Sequence, residues 1–115
     1  MSSVEVRSVD LAHLRKRVDE YAAWLLARRP EVDEIVVFGS FADGSYAPGS
    51  DLDVFLLLSE SEKDVWHRVP DYLPGAFPVG LDLFPYTVRE VESRRPSSLL
   101  DAVDRSEWRY RRSQC

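Results

Sequence analysis

Two aspartates one residue apart, in Asp51-Leu52-Asp53, open the apolar run Val54-Phe55-Leu56-Leu57-Leu58, and Gly39-Ser40 lies just upstream, separated from them by ten residues. Side chains two apart on an extended chain project from one face, roughly 6.5 Å from each other along the strand, so these carboxylates can hold an ion between them. A third acid, Asp82, alternates with Leu81 and Leu83 in "VGLDLFPY", where an unpaired charge is costly and demands a partner. Two anions about 5 Å apart repel by roughly 3 kcal/mol at an effective dielectric near 20. No lysine adjoins either strand, and no arginine occurs from Val32 to His67. The counter-charge that suits three carboxylates is a divalent cation, Mg²⁺ or Mn²⁺, its coordination completed by phosphate oxygens.

The Gly39-Ser40 corner supplies the other half of such a site. A strand ending in glycine lets backbone come close to a phosphate, and a short helix from Ser40 through Phe41 to Gly44 would aim free N–H groups and its dipole at an anion. The serine hydroxyl adds a donor. Gly39, Ser40 and Ser50 are therefore the candidate nucleotide-binding residues. Asp51, Asp53 and Asp82 are the candidate catalytic and metal-binding residues. Together they would straddle a nucleoside triphosphate and carry out in-line displacement at phosphorus by positioning and charge neutralisation.

The elements that hold these groups follow from hydrophobic period and punctuation. Leu11, Leu14, Val18, Tyr21, Ala22, Leu25 and Leu26 recur at helical spacing, predicting a helix over Val9 to Arg29 with Ser8 as cap and Pro30 as stop. Glu34 to Phe38 is a short β-branched apolar run, a buried strand ending at Gly39. Asp51 to Leu58 reads as a second strand and Val79 to Tyr86 as a third, with a loose helix between them from Ser59 to Tyr72, ending near Pro70. A helix from Thr87 to Arg95 carries a capping box formed by Thr87 and Glu90. A further helix over Ser97 to Asp104 and a short edge strand over Trp108 to Arg111 complete the order. The tight spacing of the first two strands makes them antiparallel neighbours. The helical crossover makes the second and third parallel and brings Asp82 to the end that holds Asp51 and Asp53. The expected fold is α/β (α+β): a small mixed β-sheet flanked by helices, in a single domain over residues 1–115 with its motifs in 32–86.

Bulk composition narrows the function. The chain has 115 residues, 44% hydrophobic and 30% charged, as in globular proteins. Its net charge of -5 argues against nucleic acid as a direct target, since phosphate neutralisation needs clustered Lys and Arg. Cys115 stands alone and closes no intrachain disulfide, which fits a reducing compartment. No apolar run reaches the roughly 18 residues of a membrane span and no signal-peptide core opens the chain, so a cytoplasmic protein with no membrane contact is expected. Neither a P-loop nor an EF-hand spacing is present. Ser40, Ser45 and Ser50 have no evident histidine base. His13 and His67 read as exposed helix positions, Arg94-Arg95 and Arg109–Arg112 as solvated surface, and Trp24, Trp66 and Trp108 as core or interface.

Gly39-Ser40, ten intervening residues, Asp51-x-Asp53 with its apolar run, and Asp82 on a later strand resemble the minimal nucleotidyltransferases, stand-alone relatives of the DNA polymerase beta superfamily. The resemblance covers roughly Val32 to Tyr86, and "FPYTVREV" resembles the family's ending. It implies a nucleotidyltransferase fold in which Gly39-Ser40 holds the triphosphate tail and Asp51 and Asp53 ligate metal. Asp82 would complete the site and activate the acceptor hydroxyl. It also implies transfer of AMP from ATP to a small helical HEPN-type partner protein, the transferase acting as antitoxin to a HEPN-type toxin. One departure stands out: Asp43 occupies a position where many relatives carry a basic residue, adding repulsion beside the phosphate site. The different-class alternative is a non-catalytic nucleotide- or partner-binding protein that retains the fold.

Overall fold

The computed structural model describes residues 10–112. Nine elements follow in order: α1 Leu11–Arg28, β1 Val32–Phe38, α2 Ser40–Asp43, β2 Leu52–Leu58, α3 Val65–Tyr72, β3 Leu81–Thr87, α4 Val88–Arg94, α5 Ser98–Arg105 and β4 Trp108–Arg111. The strands form one sheet in the order β3-β2-β1-β4. As expected, β1 pairs antiparallel with β2, and β2 pairs parallel with β3. β4 closes the far edge, antiparallel to β1.

The alternation of β2 sorts its side chains into two layers. Leu52, Val54, Leu56 and Leu58 are fully buried against α1, whose Leu14, Val18, Tyr21, Ala22 and Leu25 form the helical stripe read from the sequence. On the other face, Val36, Phe38 and Phe55 pack against Leu100 and Val103 of α5. Asp53 shares the phase of Phe55, so the candidate site lies on the α5 face of the sheet, at its edge.

Several boundaries differ from expectation. α1 is capped by Asp10, whose carboxylate accepts from the His13 N–H, while Ser8 lies outside the described residues. The helix after β2 starts at Val65 rather than Ser59, because Asp64 caps it and Ser59 is tied back to the Glu31 carbonyl. It runs through Pro70 and ends at Tyr72, the expected C-terminal bound. Tyr72 is anchored on both sides: its hydroxyl donates to Glu31, and its carbonyl accepts from the Tyr21 hydroxyl. Those tertiary bonds hold the last turn despite the N–H that proline lacks. The Thr87–Glu90 capping box forms as read, and the Glu90 carboxylate also takes a bidentate bond from the buried Arg68.

Some surface assignments are corrected. Arg109 is no solvated charge: it pairs with Glu34 and donates to the Ser106 and Val103 carbonyls at the end of α5. Arg112 donates to the carbonyls of Leu26, Arg29 and Val32, closing the α1–β1 turn. Trp108 lies in the core, whereas Trp24 and Trp66 are exposed, Trp66 at 83%. Among the described residues, no helix is long and apolar enough to cross a membrane.

Candidate active site

β1 ends at Phe38, and the chain turns at Gly39 with φ 79° and ψ -150°, a region open in practice only to glycine. A second constraint acts at the same position. A Cβ on Gly39 would collide with Oδ2 of Asp53 and sit 3.3 Å from its Cγ. Gly39 therefore makes the corner and also leaves room for the Asp53 carboxylate. The short α2 follows directly, with Gly44 in the left-handed region as its C-cap. Gly39 carries no side chain to cap the first N–H groups of α2, and the Ala42 and Asp43 N–H groups turn back to the Gly39 carbonyl.

The loop back to β2 is self-bonded. Phe41 is buried and Tyr46 stacks on it at 4.8 Å. Both the N–H and the hydroxyl of Ser45 donate to Asp43, which holds that carboxyl below its ordinary range. The Ala47 N–H donates to Ser50 Oγ, and the Ser50 N–H returns to the Ala47 carbonyl. Ser50 thus closes the loop that leads into Asp51, with its hydroxyl proton still free to donate.

Asp51 sits beside Gly80, where an added Cβ would collide with its Oδ1 and lie 3.2 Å from its Cγ. The Leu52 N–H donates to the Gly80 carbonyl at 2.8 Å, fixing the entry of β2 against that of β3. One step further on, Asp53 and Asp82 are register partners. The Asp53 carboxyl is pushed above its ordinary range, first by burial and then by the charges of Asp82 and Asp51. All three predicted acids thus reach one end of one sheet, beside the Gly39-Ser40 corner.

Two details depart from the expected picture. Asp82 is exposed rather than buried among leucines, because it is only the second residue of an edge strand; Asp53 is the half-buried one. Among the described residues, no three acidic, histidine or cysteine side chains close into a ready metal cage. None of the three aspartates accepts a side-chain hydrogen bond or joins an ion pair among those residues. Three hard oxygen donors gathered at one end of the sheet, with no cationic partner among those residues, fit a divalent cation.

A cleft of about 300 Å³ opens beside the corner, lined by Gly39, Ala42, Asp43, Ala102, Arg105, Ser106 and Glu107. Arg105 was invisible to the sequence reading as a site residue. It lies more than sixty residues from Gly39, and α5 alone brings it there.

The family model for the nucleotidyltransferase domain matches residues 16–108, most of the chain. The chain belongs to this nucleotidyltransferase family. Nucleotidyl transfer is therefore its general reaction, and the corner, the Asp-x-Asp pair and Asp82 lie within the matched span. The crystal structure, at 1.40 Å resolution, of a Sulfolobus solfataricus protein proposed to be a nucleotidyltransferase is similar at 21% identity and a TM-score of 0.57, covering 88% of this chain and 80% of that one. That similarity shows the nucleotidyltransferase fold. Among curated proteins, none matches the chain.

Proposed function

We propose that this nucleotidyltransferase moves AMP from ATP, with Mg²⁺ or Mn²⁺, onto a hydroxyl of a partner protein. The observation that carries the reading is the placing of Asp53 against Gly39, with Asp51 and Asp82 close enough to raise its carboxyl. Asp51, Asp53 and Asp82 would hold the cation, which when bound neutralises the triphosphate and polarises the α-phosphate. The backbone of Gly39-Ser40 and the Ser40 hydroxyl would hold the triphosphate tail, and Ser50 would add a donor at the loop exit. The acceptor oxygen attacks the α-phosphorus, the bond to the pyrophosphate oxygen breaks, and pyrophosphate leaves in line. Asp82, exposed at the mouth, takes the acceptor's proton.

The acceptor must come within about 3–3.5 Å of the α-phosphorus. The exposure of Asp51 and Asp82 leaves this mouth open to a macromolecular hydroxyl. A small helical HEPN-type protein is the proposed acceptor, its modification making this chain an antitoxin. The lone Cys115 is consistent with a cytoplasmic setting for this chain. A second reading, a non-catalytic binding protein, is favoured by one observation: Asp43 lines the cleft beside Gly39, where its charge opposes a phosphate.

The test incubates the protein with each labelled nucleoside triphosphate, Mg²⁺ or Mn²⁺, and the product of the adjacent gene, then weighs the partner by mass spectrometry. An added AMP that disappears with Asp53→Asn supports transfer. A tight complex without modification under any nucleotide or metal establishes the binding reading instead.

A further inference from the structure

We propose that Arg105 is a second anchor for the triphosphate, gripping its terminal phosphates from α5 while the Gly39-Ser40 backbone holds them from β1. The inference rests on the nucleotide reading above and adds a residue that neither the motif nor the family match assigns.

The argument begins with charge. Most basic side chains among the described residues are already engaged: Arg68 with Glu90, Arg95 with Asp104, Arg109 and Arg111 with Glu34, Lys63 with Asp71, and Arg112 with backbone carbonyls. Arg105 enters no ion pair, side-chain hydrogen bond or ring contact among those residues, and it lines the cleft that reaches Gly39. Two carboxylates, Asp43 and Glu107, line the same cleft and oppose an anion. Arg105 is the one cation among the residues lining that cleft and offsets one of those two charges.

Position supplies the second half. The Ser106 hydroxyl donates to the Val37 carbonyl, two residues before Gly39, and accepts from the Trp108 N–H. Leu100 and Val103 of α5 pack into the cluster that holds Phe38. Arg109 donates to the Val103 and Ser106 carbonyls and so ties down the end of α5. Arg105 therefore projects from a helix end that is bolted to the strand leading into the phosphate corner. A guanidinium offers a planar fork that matches phosphate oxygens two at a time, on a stem long enough to close over a bound tail.

The test measures binding of ATP, ADP and AMP, each with Mg²⁺, to the wild type, Arg105→Ala and Arg105→Lys, together with the melting temperature of each apo protein. Arg105→Ala is expected to weaken ATP about tenfold to a hundredfold, leave AMP unchanged and leave apo melting unchanged, with Arg105→Lys in between. Wild-type-like ATP affinity in Arg105→Ala overturns the proposal while leaving the nucleotide site standing. A lower apo melting temperature with equal losses for ATP and AMP also overturns it, making Arg105 structural. A wild type that binds no nucleotide removes the underlying reading and this proposal with it.

Discussion

Asp53 and Asp82 are register partners across the parallel β2–β3 pair, each the second residue of its strand. Partners in register project from the same face of a sheet. Burial first, and then the charges of Asp82 and Asp51, push the Asp53 carboxyl above its ordinary range. The folded state thus holds this proton more tightly than the unfolded chain does. Apo stability should fall as pH rises from the ordinary aspartate range through the raised value, then level off. Asp53→Asn should remove that step and leave the apo protein as stable as wild type or more so. Melting temperatures from pH 3 to 8 with a chelator present measure it, and an unfolded Asp53→Asn protein would show a structural acid.

Mg²⁺ and ATP together should raise the melting temperature more than either alone, because each relieves a charge the other leaves exposed. A ligand at 100 times its Kd adds about 2.7 kcal/mol to the folded state. Asp51→Asn and Asp53→Asn should each erase the joint shift. Thermal scans at millimolar ligand decide it, and no joint shift in the wild type counts against the site.

Gly39→Ala should be the most damaging glycine substitution, since both its backbone angles and Asp53 exclude a Cβ. A cost of about 2–4 kcal/mol is expected from strain and collision together. Gly44→Ala has a positive φ but open space around it, and should cost about 1 kcal/mol. Urea unfolding of the two variants side by side provides the comparison.

Ser40→Ala should weaken ATP roughly tenfold to a hundredfold by removing one donor to a charged group. Asp82→Asn should instead weaken ATP less than Asp51→Asn or Asp53→Asn does and slow transfer by roughly 10²–10⁴. Calorimetry paired with single-turnover transfer separates the two, and equal effects on binding and transfer from Asp82→Asn would deny it a role toward the acceptor.

Arg68 is buried at 3% exposure, and its bidentate bond to Glu90 joins α3 to the cap of α4. That bond, ahead of the Thr87 N–H, lowers the Glu90 carboxyl to about 2. Its stabilisation is complete above the ordinary glutamate range and fades as pH falls toward about 2. Arg68→Ala should cost about 2–4 kcal/mol and flatten this acid limb, because it strands Glu90 and removes a donor to the Pro85 carbonyl. Acid titration of the melting temperature shows whether the limb disappears.

How much of this was legible without coordinates differs from residue to residue. The strands, the parallel crossover, the Thr87–Glu90 box and the meeting of Asp51, Asp53 and Asp82 at one end were readable, because period, glycine punctuation and connection length are local properties with few solutions. The start of α3 was not, because Ser59 is held by a carbonyl on β1 and Asp64 won the cap. The exposure of Asp82 was misjudged for a related reason: alternation marks a face, while sheet order alone says which strand is the edge. Arg109 and Arg112 read alike as solvated surface in the sequence, yet in space one pairs with a strand and the other caps a turn, while Arg105, unpaired among the described residues, lines the cleft beside Gly39. Local chemistry names the groups that could act, and long-range packing decides which charges are consumed by the fold and which remain for a ligand.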